Sequence, residues 1–234
     1  MRCICEVRCR VAMCGDPHLK LPNGTTVQFW MNVGTWEELL IGPKASLLVK
    51  SFGRPGTTEQ WIDGLAVKNR ETGEIDFKMV LPCGVPVTPA IESNSDTFDD
   101  LNVEVDGVPV QVYNNATSKS GLVSIFTSKY ENPEVSAKQF DRVYLKTPDF
   151  TLTARTMVAT KYESIEEQES FLHLDWDFKM VPDTSVLSGF LAAMYWESVP
   201  MTPAFDAMLH EPALEDADAR LQAADCTDVV ALVA

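Results

Sequence analysis

Asp16, Pro17 and His18 stand in a row just after Cys14, within Cys14–Trp30, CGDPHLKLPNGTTVQFW. An acid followed by proline can do covalent chemistry on its own backbone. The Asp16 carboxylate attacks its own peptide carbonyl, the imide-like bond to Pro17 eases departure, and His18 transfers the proton. The competing role is conformational: Asp16 caps a turn, Pro17 fixes φ, and His18 hydrogen-bonds at the edge of a sheet. Cleavage needs strain as well as sequence, so the turn is the expected role and self-cleavage the minority one.

The thiols are the second candidate chemistry. Cys3, Cys5, Cys9 and Cys14 crowd the start of the chain, while Cys83 and Cys226 lie far from them. Four clustered thiols, with His18, resemble a zinc donor set, but their spacing lacks the paired Cys-x-x-Cys ribs of common structural zinc sites. An even count with one dense cluster points instead to disulfides formed in an oxidising compartment. Six cysteines admit many pairings, so connectivity stays open at this point. The opening MRCICEVRCR carries charges and cysteines where the apolar core of a secretory signal belongs, which suggests a processed or incomplete N-terminus. Two sequons, Asn23-Gly24-Thr25 and Asn115-Ala116-Thr117, are glycosylation candidates that fit a secreted or lumenal protein.

Conventional catalysis has fewer footholds. The chain has 3 histidines, His18, His173 and His210. His173 shares a strand face with Asp175 and reads as a surface hydrogen-bonded residue. Asp175 and Asp177 have the spacing of a carboxylate pair for glycoside hydrolysis, as does any acid-rich strand. Asp99-Asp100 and Glu215-Asp216-Asp218 read as solvated charges. The sequence contains no Gly-x-Ser-x-Gly elbow, phosphate-binding loop or His-Glu-x-x-His pair. Among the tryptophans, Trp30, Trp36 and Trp61 are expected in the core. Trp196, beside Tyr195 in a late turn, is the candidate docking anchor.

Positioning any of these groups requires a folded body, and the composition supplies one. Of 234 residues, 45% are hydrophobic, enough for one substantial domain with small appendages. With 34 acids against 19 bases the net charge is -15, which disfavours nucleic acid and anionic membranes as partners. No apolar run approaches the roughly 18 residues of a membrane-spanning helix, so no membrane insertion is expected.

Short β-type runs separated by turn residues fill most of the chain. TTVQFWM, ASLLVKSF, LAVKN and EIDFKMV are rich in β-branched and aromatic residues. LNVEVDGVPVQVY reads as a hairpin, with Asp106-Gly107 as its turn and Val108, Val110 and Val112 alternating on the return. GLVSIFTS, DRVYLKT, DFTLTARTMV and SFLHLDWDFKM continue the series, the last with Leu172, Leu174, Trp176, Phe178 and Met180 on one face. About ten such strands predict a mainly β protein, an antiparallel two-layer sandwich. Helix signals come late, in PAFDAMLHE and PALEDADARLQAAD, both of which begin with proline. The expected organisation is a cysteine-rich segment over 1–14, a β domain over 15–199, and a helical closing segment over 200–234.

The opening CGDPHLKLPNGTTVQFW resembles the start of von Willebrand factor type D domains, whose Gly-Asp-Pro-His tetrad leads into the first strand. HLDWDFKMVPDTSVLSGFLAAMY (His173–Tyr195), LNVEVDG and AADCTD around Cys226 are similar to the plant root-cap, late-embryogenesis-associated branch of that likeness. The resemblance implies a type D-like sandwich and makes Cys14 and Cys226 the preferred staple between the two ends of the domain. It implies self-cleavage at Asp16-Pro17 in some mucin-type relatives and makes Asp16 a calcium candidate. The Asn/Asp-rich loop that would complete such a calcium site is replaced by Ser188–Pro200, in which Glu197 is the only acid. Calcium takes six to eight oxygen ligands, so no cofactor is expected. The branch's two further cysteines are also missing, since the matching stretches read GTWEELLI and ESFLHLD.

The expected function is a non-enzymatic, disulfide-stabilised structural or protein-interaction module, secreted or in an organelle lumen. The alternatives are an accessory subunit on the lumenal face of a larger assembly, and a self-cleaving or carboxylate-dependent hydrolytic domain.

Overall fold

Alternation of apolar and polar residues builds strands only where a partner strand completes the ladder, and here the partners form two sheets. The computed structural model describes residues 11–14, 18–21, 24–53, 58, 60–81, 101–131, 139–159, 171–180, 187–195 and 199–212. Within them the strands are β1 (Val11–Cys14), β2 (His18–Lys20), β3 (Thr26–Gln28), β4 (Glu37–Ile41), β5 (Ala45–Gly53), β6 (Gln60–Asn69) and β7 (Ile75–Val80). They continue with β8 (Asn102–Val105), β9 (Val108–Pro109), β10 (Asn115–Thr117), β11 (Ser124–Glu131), β12 (Gln139–Lys146), β13 (Phe150–Ala159) and β14 (Phe171–Met180). One sheet has eight strands in the order β10-β11-β12-β13-β14-β1-β2-β3, the other six in the order β4-β5-β6-β7-β8-β9. Every pairing is antiparallel.

The inner faces of the two sheets share one hydrophobic core, as the mainly β, two-layer expectation requires. From the six-stranded sheet, Leu47, Val67, Phe77 and Val105 form one buried cross-strand row, and Val49, Leu65, Met79 and Val103 form another. Val143, Leu145, Leu152, Leu174 and Trp176 come from the eight-stranded sheet. Burying a side chain of this size contributes about 1.5–3 kcal/mol. In β14, Leu174 and Trp176 are buried while Lys179 is exposed, in keeping with the period-two reading of that strand.

The turn of the predicted hairpin is where the sequence placed it, with Asp106 and Gly107 both at positive φ and Val105 paired with Val108. The return strand is shorter than expected. β9 has 2 residues and ends at Pro109, which has no N–H to continue the ladder. Val108 is 58% exposed, while Val110 N donates to Val103 O at 2.9 Å and its side chain packs against the core.

Two elements stand where the sequence reading placed none. Residues 11–14, assigned to the cysteine-rich segment, are strand β1 and pair with β14 and β2 inside the larger sheet. The late turn contains a helix, α1 (Phe190–Tyr195), because Phe190, Leu191 and Ala192 bury one side of a short helical turn in the core. α2 (Pro203–Ala207) is capped by Thr202, whose hydroxyl accepts from Phe205 N at 3.2 Å, and it carries proline in its first turn. Phe190 links the two helices to the sheet, with its ring 4.9 Å from Phe29 and 6.2 Å from Phe205. Trp30 N donates to Met208 O at 2.7 Å, so the closing segment docks beside the end of β3. The second predicted late helix, PALEDADARLQAAD, lies outside the described residues from Ala213 onward.

Candidate functional site on the six-stranded sheet

Between the two buried rows of the six-stranded sheet runs a third row whose side chains face the other way. Its register is Glu38–Leu48–Ala66–Lys78–Glu104–Pro109, one residue from each of the six strands. Successive residues of a strand point to opposite faces, so a row lying between two core rows is directed away from the core. The next outward row on the same face contains Lys50, Gly64, Val80 and Asn102.

A groove of about 350 Å³ opens on this face, lined by Trp36, Leu48, Ala66, Ile75, Lys78, Glu104 and Gly107. Small residues make its floor and large ones its walls. The Trp36 ring lies over Gly64 so closely that an added Cβ would sit 2.7 Å from Trp36 Cη2 and 3.2 Å from Lys50 Cβ. Ala66 is buried below, Ile75 is 40% exposed at the rim, and Lys78 and Glu104 face each other across β7 and β8. The site thus combines an aromatic wall, an apolar floor and one charge of each sign. Such an arrangement has the shape and chemistry to accommodate an apolar side chain with polar groups beside it.

Bulges shape the ground around the groove. The register shifts at Leu39, at Asp63 and at Asp76, each the extra residue of its strand. Asp76 is buried and accepts hydrogen bonds from Ser120 Oγ and, at 3.5 Å, Asn69 Nδ2. Asp63, next to Gly64, is 2% exposed, and its Oδ1 has no hydrogen-bond partner among the described residues. Burial pushes its carboxyl up to about 6, against the opposing pull of Lys50 and of its own backbone amide. Glu38, at the end of the groove's row, also holds a buried Oε1 with no hydrogen-bond partner among the described residues.

The residues singled out from the sequence lie elsewhere. His18 is half-buried in β2, in register with Cys14 and Gln28. His173 is on β14 opposite Met157, and Asp175 and Asp177 on the same strand stand opposite Arg155 and Thr153. His210 follows α2, with Nε2 3.5 Å from Asp206 Oδ2 at an exposed position. The three histidines thus lie in three separate parts of the fold. Asn115 is exposed on β10. Asp16, Pro17, Cys3, Cys5, Cys9, Cys83, Cys226, Asn23 and Trp196 lie outside the described residues, and Cys14 is described only as the last backbone position of β1. Of the tryptophans expected in the core, Trp61 is buried, whereas Trp30 and Trp36 are half-buried. That half-burial is what makes Trp36 a wall of the groove.

The groove itself escaped sequence reasoning. TWEELLI carries two acids and no clean alternation, so Trp36 and Glu38 were not placed on a sheet face. One signal was present: in WIDGLAVKN, Ile62 and Leu65 are three apart where a regular strand requires two, which marks a bulge at Asp63-Gly64. No protein-family model matches the chain, and no curated protein matches it significantly.

Proposed function

We propose that this protein is a non-enzymatic, disulfide-stabilised interaction module of the secretory lumen or extracellular space, built as a von Willebrand type D-like sandwich, and that it engages a protein partner through the groove on its six-stranded sheet. The observation that carries this reading is the half-buried Trp36 ring above an apolar floor, flanked by Lys78 and Glu104. Tryptophan in a semi-open pocket with a polar rim is the usual anchor of a protein interface. The net charge of -15 selects a basic partner surface, presenting one apolar or aromatic side chain to the groove. The cysteine count supports the compartment.

The test is to isolate the native protein under non-denaturing conditions, identify what co-elutes and cross-links, and measure binding of that partner to wild-type and Trp36→Ala protein. Trp36→Ala is expected to weaken binding about 30-fold, the effect of losing a hot-spot residue. Binding of the wild type is expected to fall as salt rises. Elution as a lone monomer with no cross-linked partner, or unchanged affinity of the variant, overturns the reading. Thiol titration of the same preparation checks the compartment: thiols near zero before reduction are expected, and six free thiols overturn it.

A further inference from the structure

The sequon Asn115-Ala116-Thr117 forms the whole of β10, the outermost strand of the eight-stranded sheet. Asn115 and Thr117 are exposed, with Thr117 Oγ1 3.3 Å from Ser124 Oγ. In register, Asn115 stands opposite Phe126, Phe126 opposite Tyr144, and Tyr144 opposite Thr153, so these side chains share one face. Phe126 is 41% and Tyr144 38% exposed, so the two rings form an open aromatic pair on the sheet surface. Their centroids are 6.0 Å apart at an interplanar angle of 22°. Arg142 fixes the far end, donating from Nη1 to the Tyr144 hydroxyl at 2.9 Å with its guanidinium 5.8 Å from the ring centroid.

We propose that Asn115 carries an N-linked glycan whose first N-acetylglucosamine packs on the Phe126–Tyr144 pair; the inference rests on the secretory route proposed above. Directly paired residues on a strand face have Cβ atoms about 5 Å apart. A sugar joined to the Asn115 amide nitrogen therefore starts within reach of the Phe126 ring. The apolar C–H face of a pyranose covers an aromatic ring well, and its hydroxyls remain in water. Formation of the linkage is a balanced transfer. The Asn115 amide nitrogen bonds to the anomeric carbon of a lipid-pyrophosphate-linked oligosaccharide. The bond from that carbon to phosphate oxygen breaks, and the lipid pyrophosphate leaves with the electron pair. The amide proton passes to base, and no redox partner is needed. The glycan serves two physical ends at once. It shields the outermost strand of the described sheet, a position that favours association with another edge, and it covers an exposed aromatic patch.

The test is glycopeptide mapping of the protein from its native source, together with the secreted full-length chain and its Asn115→Gln, Thr117→Ala and Phe126→Ala variants. Asn115 is expected to be glycosylated and to become aspartate on enzymatic release, with the modification lost in Asn115→Gln and Thr117→Ala. Removing the glycan is expected to lower the melting temperature by about 2–4 °C in the wild type and by much less in Phe126→Ala. Bare Asn115 in the native protein overturns the site, and an equal shift in Phe126→Ala overturns the packing. Bare Asn115 beside paired cysteines defeats this inference alone; bare Asn115 beside six free thiols defeats the compartment reading with it.

Discussion

Asp149, in the turn between β12 and β13, lays its carboxylate over Gly42, in the turn between β4 and β5. An added Cβ at Gly42 would fall 2.7 Å from Asp149 Cγ. The same carboxylate accepts from Lys44 N at 2.8 Å and Ala45 N at 2.7 Å, so one side chain of the eight-stranded sheet closes a turn of the six-stranded sheet. Asp149→Ala is expected to cost about 1.5–3 kcal/mol by leaving those amides unpaired. Gly42→Ala is expected to cost about 1–3 kcal/mol by crowding the carboxylate. Because both changes damage one contact, the double variant should lose less than the sum, as measured by urea unfolding.

Gly64 makes room for Trp36. Gly64→Ala should displace the indole, change the near-ultraviolet circular dichroism, and destabilise the protein by about 1–3 kcal/mol. It should also weaken the partner binding proposed for the groove, although residue 64 itself lies outside the lining. An unchanged aromatic spectrum would show that the ring does not rest on the glycine.

Asp63 makes stability depend on pH. Its folded pKa, about 6, lies above the ordinary 3.8, so the folded state holds its proton more tightly than the unfolded state. The cost of burying the charge is absent below 3.8, grows as pH rises through the interval, and is complete above about 6, where it amounts to about 3 kcal/mol. Asp63→Asn removes that cost. It is expected to raise stability relative to wild type at pH 7.5 and to show no such advantage at pH 3.5, read from urea midpoints at the two values.

Gln60 acts as a piece of backbone. Its Oε1 accepts from Met31 N and its Nε2 donates to Met31 O, both at 2.9 Å in a buried setting, tying the segment after β3 to the start of β6. Gln60→Leu strands both Met31 groups and should cost about 2–4 kcal/mol. Gln60→Glu keeps the acceptor but places a carboxylate against Met31 O. It should therefore destabilise at neutral pH and recover part of the loss on acidification.

Reading the chain alone located the features whose causes are local. Asp106-Gly107 was legible as a hairpin turn because the two residues at positive φ are adjacent in sequence. β5, β7, β12, β13 and β14 were legible because each is a short run carrying apolar, β-branched or aromatic residues and bounded by turn residues. β4 was not, since Glu37, Glu38 and Leu39 acquire strand character only from pairing with β5. β10 was not, since Asn-Ala-Thr has little sheet preference until β11 lies beside it.

The same division holds for the candidate sites. Sequence alone marked Asn115 as a sequon, because that pattern is covalent and contiguous. The neighbours it meets, Phe126 and Tyr144, are set by the register of three strands. The groove depends still more on long-range placement: Trp36, Ala66, Lys78 and Glu104 come from distant parts of the chain and become neighbours through the sheet. Composition and alternation were enough to determine a mainly β, acidic protein, because burial of apolar surface and charge balance are sums over residues. Which face keeps a gap, which ring lies over which glycine and which carboxylate loses its water were decided by strand register and bulges, and those depend on partners that a local pattern does not name.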